Sequence, residues 1–341
     1  GTFCFNPRSL IALRRFSPAP DAAIDADFFA TRLARALKLR EAFYDAPYYR
    51  LVHAEGDGLP GLTIDRFADT VVVQVTTAGM EALEAEMLAG LDAALAPVDV
   101  VLRNDAPARA LEGLDTYVRA GKGELPPRLV LEENGARYYA DLAGGQKTGW
   151  YFDQRENRAF MAALAKGKCV LDAYCYAGSF AILAAKRGAR EVVALDSSGP
   201  ALALAEEAAA ANKVSSRCRF VKADVFEELE RLAAAKETFD VVIADPPPFV
   251  KAKKDLEAGA KAYRKLARLA AGVTAPGGFL FLASCSHNMP ADRFALECAL
   301  GIQRAGREAA LLRQAGAGPD HPVHAMLLET GYLKALVYAL D

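Results

Sequence analysis

The second half of the chain alternates short apolar segments with amphipathic ones, and this alternation limits the possible folds more than any other feature. Strands are predicted at 169–172, 191–196, 219–223, 239–244 and 278–283, and helices near 179–187, 199–212, 225–236, 256–272 and 290–306. Helices that connect consecutive parallel strands make right-handed crossovers. The pattern therefore predicts an α/β fold with a doubly wound, mostly parallel sheet. Ligands of such sheets bind beyond the carboxyl ends of the strands, where functional residues are expected.

The first half predicts a smaller α/β domain. Apolar residues at helical spacing indicate an amphipathic helix over 24–43, and strands are predicted at 51–53, 62–65, 70–76 and 98–103 with a helix at 81–95. Asn134-Gly135 lies between two apolar runs, which predicts a β-hairpin over 129–141. We therefore divide the chain into a strand-like N-terminal segment (1–20), a central α/β domain with a C-terminal hairpin (21–140) and a sheet domain (141–341).

Composition excludes several classes of protein. Of the 341 residues, 52% are hydrophobic and 25% are charged, a globular balance with no uncharged apolar run long enough to cross a membrane. The six cysteines form no CxxC pair, which predicts reduced thiols in a cytoplasmic protein rather than a disulfide scaffold. Because the net charge is −2, any contact with nucleic acid must be local. Neither a membrane partner nor a metal is expected.

The residues that end the first three strands indicate a nucleoside cofactor. The first strand ends in DAYCYAGSF, which lacks the GxGxxG pattern of nicotinamide-binding folds. A single glycine at this turn favours a nucleoside without a pyrophosphate, such as S-adenosylmethionine. Asp196 ends the second strand, where it could accept both ribose hydroxyls, and Asp224 ends the third, near the expected adenine. A lone acid at such a position is more often a helix cap, but acids at successive strand ends favour a ligand site.

The fourth strand ends in Asp245-Pro246-Pro247-Pro248-Phe249. Consecutive prolines stiffen the turn, so a carboxyl group and nearby carbonyls can be held against the edge of a planar base. Methyltransferases that act on exocyclic amines use a similar turn. The motif alone therefore indicates methylation of a base or an amide.

The fifth strand ends in Ser284-Cys285-Ser286-His287, and it favours one of these reactions. Carbon 5 of cytosine is a poor nucleophile until a thiolate adds to carbon 6, so its methylation requires covalent catalysis. We predict that Cys285 is this nucleophile and that protonated Asp245 binds ring N3 and stabilises the developing charge. The other interpretation is a buried structural cysteine, as expected for Cys169 and Cys298. The base that removes the proton from carbon 5 is not identified.

The loop GQKTGWYFDQRENR precedes the first strand of the sheet. Capping of the following helix by Asp153 would explain only part of this polar cluster, and we interpret the loop as a lid over the methionine part of the cofactor. The complete predicted cofactor site comprises Lys147, Tyr151, Phe152, Gln154, Arg155, Asp172, Tyr174, Gly178, Ser179, Phe180, Asp196, Ser197, Asp224, Val225, Asp245 and Pro246.

Basic residues recur at helical spacing after the Asp245 turn. Lys261, Arg264, Lys265 and Arg268 share one helix face, and Lys251 lies upstream. A solvated face explains the stripe equally well, but its closeness to the predicted chemistry suits contacts with RNA phosphates. The target base would have to be unpaired or flipped out.

Six motifs together resemble those of the bacterial 23S ribosomal RNA (cytosine-5)-methyltransferases of the RlmI type: GDGLPGLTIDR, GQKTGWYFDQRENR, DAYCYAGSF, VIADPPPF, SCS and HPVHAMLLETGYLK. The resemblance covers essentially the whole chain. It implies a class I methyltransferase domain at 141–341, a central α/β domain, and a remnant of an RNA-binding PUA domain at 1–20, of which residues 1–17 are its last strand. It also implies ribosomal RNA as a partner, a homodimer, and the roles of Cys285 as nucleophile and Asp245 as acid.

Two other functions stay open on the sequence. An amine methyltransferase acting on guanine or adenine in RNA would not need Cys285. A catalytically silent RNA-binding assembly factor would retain the cofactor fold without turnover.

Overall fold

The computed structural model describes residues 1–142 and 148–341. The chain forms two compact units. Unit 1 comprises Gly1–Leu131, Ala140–Phe152 and Gly318–Thr330, and unit 2 comprises Glu132–Tyr139, Asp153–Ala317 and Gly331–Asp341. A late segment, Gly318–Thr330, thus returns to unit 1. The division at residues 20 and 140 stays a prediction. Among the described residues, no helix is long and apolar enough to cross a membrane.

Unit 1 contains a mixed sheet with the strand order β3-β4-β5-β6-β7. Only β5 and β6 pair in parallel. The elements are β1 (Thr2–Phe5), β2 (Leu13–Ser17), α1 (Ala26–Glu41), β3 (Tyr48–His53), β4 (Leu62–Phe67), β5 (Thr70–Val75), α2 (Ala78–Glu81), α3 (Glu84–Leu95), β6 (Asp99–Asn104) and β7 (Tyr117–Lys122).

Helix α1 begins where the sequence supplies a cap and an apolar stripe. The side chain of Asp25 accepts a hydrogen bond from the Phe28 amide at 3.0 Å, which satisfies one free N–H of the first turn. Phe29 and Leu33 are buried in the core of unit 1. Gly90 of α3 allows close helix packing, because a Cβ there would lie 2.5 Å from the Cβ of Phe29.

The N-terminal segment differs from the expected single strand. It forms an antiparallel pair, β1 with β2, rather than one last strand of a larger domain. The chain reverses because the Asn6 amide donates to the carbonyl of Ala12 at 2.9 Å and closes the loop between the strands.

The predicted hairpin is present as β8 (Arg128–Glu133) and β9 (Ala136–Asp141). Asn134 and Gly135 both have positive φ, 53° and 77°. Such a turn matches the twist of the flanking strands and explains why this dipeptide predicts a hairpin.

Unit 2 contains the doubly wound sheet, with the order β12-β11-β10-β13-β14-β16-β15. The first five strands are parallel, and β16 is antiparallel to both neighbours. The strands are β10 (Cys169–Ala173), β11 (Glu191–Asp196), β12 (Cys218–Lys222), β13 (Phe239–Ala244), β14 (Thr274–Ser284), β15 (Ala309–Ala315) and β16 (Lys334–Leu340). The helices are α4 (Arg155–Ala163), α5 (Ser179–Lys186), α6 (Gly199–Ala211), α7 (Val225–Ala234), α8 (Leu256–Gly272) and α9 (Ala291–Arg304).

This topology confirms the predicted fold class and places a crevice in the sheet. After β10 the chain fills one side of the sheet with β11 and β12, and then crosses to β13 on the other side. The strand order therefore reverses between β10 and β13, and the crevice at their carboxyl ends is the expected ligand site. Strands β7, β15 and β16 were not predicted from the sequence.

Candidate active site

The turn from β10 into α5 forms the first wall of the crevice. Asp172 is buried, and its carboxylate accepts a hydrogen bond from the Ala181 amide at 2.9 Å. Tyr174, Tyr176 and Gly178 all have positive φ, at 66°, 49° and 74°. Glycine adopts this conformation freely, but for two tyrosines it is strained, and such strain is common at functional sites.

Three carboxyl groups lie at the carboxyl ends of β10, β11 and β13. Asp196 accepts hydrogen bonds from the amides of Tyr176 and Ser198, each at 2.8 Å, which fix its carboxylate at the end of β11. Burial and the nearby charges of Asp245 and Asp196 together raise the pKa of Asp172 to about 8. The crevice thus concentrates acidic groups that repel one another when charged.

The third strand end is less enclosed. Asp224 is exposed and caps α7, because its side chain accepts a hydrogen bond from the Glu227 amide at 3.1 Å. Ser197 is exposed and Val225 is buried. The capping contact accounts for the position of Asp224, and its contact with adenine stays a prediction.

The start of α5 carries two further predicted cofactor residues. Ser179 is half-buried, and Phe180 is buried with its ring 5.4 Å from that of Phe281. The Arg158 guanidinium lies 5.9 Å from the centre of the Phe180 ring and donates to the Ser179 hydroxyl at 3.4 Å. The Arg158 guanidinium therefore contacts both of the first two residues of α5 and stabilises its first turn.

The predicted lid is divided between the two units. Lys147 lies outside the described residues. Tyr151 is half-buried in unit 1, and Phe152 is buried there with its ring 5.3 Å from that of Phe67. Gln154 belongs to unit 2, where its side chain accepts a hydrogen bond from Asn157 at 2.7 Å.

A buried ion pair in unit 2 was missed by sequence reasoning. Arg158 donates two hydrogen bonds to the Glu133 carboxylate, at 2.6 and 2.8 Å, and Arg155 approaches the same group at 3.3 Å. Burial alone would lower the pKa of Arg158, but the Glu133 charge raises it above its usual value. The cation-rich lid motif was the available signal, but its acidic partner lies in the hairpin.

Cys285 follows the last residue of β14 and is half-buried. Its Sγ lies 4.0 Å from the carbonyl oxygen of Pro246, in the turn that follows β13. Because β13 and β14 are parallel neighbours, the thiol and the Asp245-Pro246 turn lie at the same edge of the sheet. The structure thus brings together the two groups that the sequence assigned to catalysis.

A buried tyrosine supports this arrangement from behind. The Tyr263 hydroxyl of α8 accepts a hydrogen bond from Ser284 at 2.8 Å and lies 2.8 Å from the Ser286 hydroxyl. The Ser286 hydroxyl in turn accepts from the Val250 amide at 3.1 Å, and the Phe249 amide approaches Tyr263 at 3.5 Å. Tyr263 therefore joins the loop after β13 to both residues that flank Cys285. The sequence signal for this role was a tyrosine, Tyr263, among the apolar residues of the predicted helix that became α8.

Strand β16 and the residues just before it lie near the turn that contains Cys285. Lys334 pairs in register with Ser284, and its Nζ donates to the carbonyl of Ser286 at 2.6 Å. The Tyr332 ring stacks on that of His287 at 5.0 Å. These residues belong to the closing motif HPVHAMLLETGYLK, but nothing in the sequence assigned them to the site.

The predicted RNA-binding cations are not equivalent. Arg264 pairs with Glu297 at 2.5 Å, and Lys265 pairs with Glu230 at 3.0 Å. The other predicted contacts are exposed: Lys251, Lys261 and Arg268. Two cations of the stripe thus already have acidic partners, and the RNA-binding role of the stripe stays a prediction.

Comparison with known proteins agrees with this geometry. A family model described as S-adenosylmethionine-dependent methyltransferase matches residues 120–337. A ribosomal RNA large subunit methyltransferase I from Pseudoalteromonas atlantica is 37% identical, over 99% of this chain and 86% of its own length.

Two solved structures share the fold. One from Streptococcus mutans, named a SAM-dependent methyltransferase, has a TM-score of 0.86 at 22% identity over 99% of this chain and 88% of that chain. A methyltransferase structure in complex with SAH has a TM-score of 0.85 at 23% identity over 96% of this chain and 85% of that chain.

The residues of the crevice fit the cofactor of this family. S-adenosylmethionine carries a sulfonium and an ammonium group, and the charges of Asp196 and Asp245, which raise the pKa of Asp172 at the same sheet edge, suit a cationic ligand. The predictions of an enzyme and of its cofactor are thereby confirmed. With the sheet order, the acidic crevice and these matches in agreement, the chain belongs to the S-adenosylmethionine-dependent methyltransferases, among the relatives of ribosomal RNA large subunit methyltransferase I.

Proposed function

We propose that this enzyme methylates carbon 5 of a cytosine in ribosomal RNA, of the 23S type, through a covalent adduct with Cys285. The observation that carries the proposal is the 4.0 Å separation between the Cys285 thiol and the Pro246 carbonyl at the edge where the acidic crevice lies. The name of the relative from Pseudoalteromonas atlantica supports ribosomal RNA of the large subunit as the substrate.

The chemistry follows from the two groups at this edge. The cofactor, when bound, supplies an electrophilic methyl group. The Cys285 thiolate adds to carbon 6 of the cytosine, and the electrons of the ring double bond move toward carbon 5 and N3. Asp245 in its protonated form donates a hydrogen bond to N3 and stabilises this charge. Carbon 5 then takes the methyl group, whose bond to the sulfonium sulfur breaks and leaves a neutral thioether. A base removes the proton from carbon 5, and the bond between carbon 6 and the Cys285 sulfur breaks to restore the ring double bond and the thiolate.

The rigidity of the site supports this assignment. Tyr263 holds Ser284 and Ser286 on both sides of Cys285, so the thiol is presented by a turn with few alternative conformations. A nucleophile that is positioned before the substrate binds needs less ordering in the reaction step, which contributes to catalysis.

Trapping with RNA that contains 5-azacytidine tests the proposal, because ring nitrogen 5 prevents release of the enzyme after transfer. The unmodified enzyme should give a stable covalent adduct, and Cys285→Ala should give none. Cys218→Ala is the matched control, since Cys218 is half-buried in the same unit but begins β12.

Methyl transfer to RNA by Cys285→Ala at the normal rate would instead indicate an amine methyltransferase. Cofactor binding without transfer to any RNA would indicate a silent assembly factor.

Five further statements are part of the proposal. The enzyme acts in the cytoplasm, where ribosomal RNA is its partner, and it forms a homodimer, which light scattering of the purified protein would test. The cofactor contacts are those predicted from the sequence, and Lys251, Lys261, Arg264, Lys265 and Arg268 contact RNA phosphates. The N-terminal pair of strands is PUA-like in its role and contacts RNA.

A further inference from the structure

A groove of about 550 Å³ in unit 1 is lined by basic side chains that the proposed reaction does not use. Arg32, Arg35 and Lys38 of α1 form one wall. The turn at residues 56–58 and His324 also line the groove. Residues three apart on a helix follow each other at a rise of about 4.5 Å, so the three cations form a row along the groove.

The positive charge of this row is not compensated. Within residues 1–142 and 148–341, none of the three side chains forms an ion pair. Arg32 approaches the carbonyl of Phe16 at 3.4 Å and lies 5.0 Å from the centre of the Phe28 ring, and neither contact neutralises its charge. Asp57 is the acid that lines the groove, but its carboxylate is held by Arg40 at 2.6 and 2.7 Å.

Mutual repulsion within the row supports an anionic ligand. Burial lowers the pKa of Arg32, and the charge of Arg35 lowers it further. Each effect disfavours the charged guanidinium, and an anion in the groove would offset both. The contrast with α8 is informative, because Arg264 and Lys265 there are already paired with acids.

We propose that this groove binds the phosphate backbone of the RNA substrate at a distance in sequence from the target base. The proposal rests on RNA as the substrate. A groove of this volume falls within the range of ordinary ligand pockets and accommodates a sugar and its phosphates. The partly exposed side chain of Leu39 offers the sugar an apolar contact. In a chain with a net charge of −2, the groove is a local attraction for a polyanion.

The test is the salt dependence of binding to a 23S rRNA fragment, with Arg35→Glu/Lys38→Glu compared with Lys166→Glu/Arg219→Glu. All four residues are exposed. We expect the first double variant to bind more weakly and its slope of log affinity against log salt to fall by about 1.4, the value for two lost contacts to single-stranded RNA. The control pair should retain the slope of the unmodified protein. Equal slopes for both pairs would overturn the proposal, and so would weakening by both. Because adduct formation at saturating RNA depends on the residues around Cys285 and not on this groove, failure here leaves the proposed reaction untouched.

A second, independent observation concerns Lys334. The backbone of Lys334 pairs with that of Ser284, and its Nζ donates a hydrogen bond to the carbonyl of Ser286. The lysine side chain therefore extends alongside Cys285, the residue between these two serines. We propose that Lys334 is a positioning residue whose positive charge stabilises the thiolate of Cys285. This proposal rests on the nucleophilic role of Cys285.

Electrostatic coupling supports the proposal. Burial lowers the pKa of Lys334 to about 8, and the charge of Cys285 acts in the opposite direction. Among the described residues, other titratable groups around this turn are Asp245, which precedes Pro246, Tyr263 of α8, His287 beyond the turn, and Tyr332 with its partner Asp153. A nearby ammonium is a known way to lower the pKa of a reactive thiol.

Alkylation of Cys285 by iodoacetamide, followed by peptide mass spectrometry across pH, tests this idea without RNA. For Lys334→Met we expect the pH profile to move upward by about one unit, which is a tenfold slower reaction at neutral pH. Lys334→Arg should restore most of the rate. If Lys334→Met fails to fold, Lys334→Gln serves the same comparison. A profile that coincides with that of the unmodified enzyme would refute the proposal, whereas a merely structural lysine would lower the melting temperature without moving the profile.

Discussion

Replacing Tyr263 with phenylalanine removes one oxygen atom from the centre of the network behind Cys285. Two hydrogen bonds of 2.8 Å are lost, to Ser284 and Ser286, together with the weaker approach of the Phe249 amide at 3.5 Å. A net hydrogen bond contributes about 1 kcal/mol to the stability of a protein, and an unsatisfied buried group costs about 1–3 kcal/mol. Ser284 and Ser286 are both buried and each keeps one backbone donor, so the expected loss is about 2–3 kcal/mol.

Calorimetry and urea denaturation measure this loss. For a domain of 150–250 residues it corresponds to a decrease in melting temperature of roughly 4–12 °C. Tyr338→Phe is the matched control, because Tyr338 is a mostly buried tyrosine of β16 without a hydrogen bond in the described part of the chain, and it should change stability by less than about 0.5 kcal/mol. The rate of adduct formation should also fall in Tyr263→Phe. Stability of Tyr263→Phe equal to that of the control would refute the reasoning.

Two further predictions concern buried charge. Glu133→Gln leaves the guanidinium of Arg158 buried without its carboxylate, and we expect a loss of about 3 kcal/mol in urea denaturation; a change below about 1 kcal/mol would contradict the assigned pairing. Asp172 has a folded-state pKa of about 8, above its ordinary value of 3.8, so the folded state retains a proton that the unfolded state loses. Its contribution to stability is therefore complete below about pH 4 and is lost as the pH rises to about 8. Asp172→Asn should flatten the decline in unfolding free energy over this interval, and parallel pH curves for the two proteins would disprove the shift.

The parallel core of the sheet could be predicted because its strands are buried on both faces and appear as compact apolar runs. The carboxyl ends of those runs identified Asp172, Asp196, Asp245 and Cys285 before any contact was known. Strands β7 and β15 were not predicted because they are not buried. Most residues of β7 and β15 are exposed, so neither strand has an apolar face that would give a pattern.

The residues that surround Cys285 could not be predicted, because they are brought together by contacts between distant parts of the chain. Lys334 reaches the catalytic turn only through the antiparallel pairing of β16 with β14, which the residues of β16 alone do not specify. The basic stripe of α8 is a case in which the position of the residues was predicted but their partners were not. Its spacing was predicted correctly, but the acids that neutralise Arg264 and Lys265 come from α9 and from α7.

The position of β16 between β14 and β15 also determines when the enzyme becomes competent during synthesis. A nascent chain can fold its first strands early, but β14, which Cys285 follows, lacks one neighbour until residues 334–340 have been made. The unpaired edge next to the thiol is a transient liability for mispairing with other chains. Translation order thus delays both the closure of the sheet and the onset of chemistry to the same late moment.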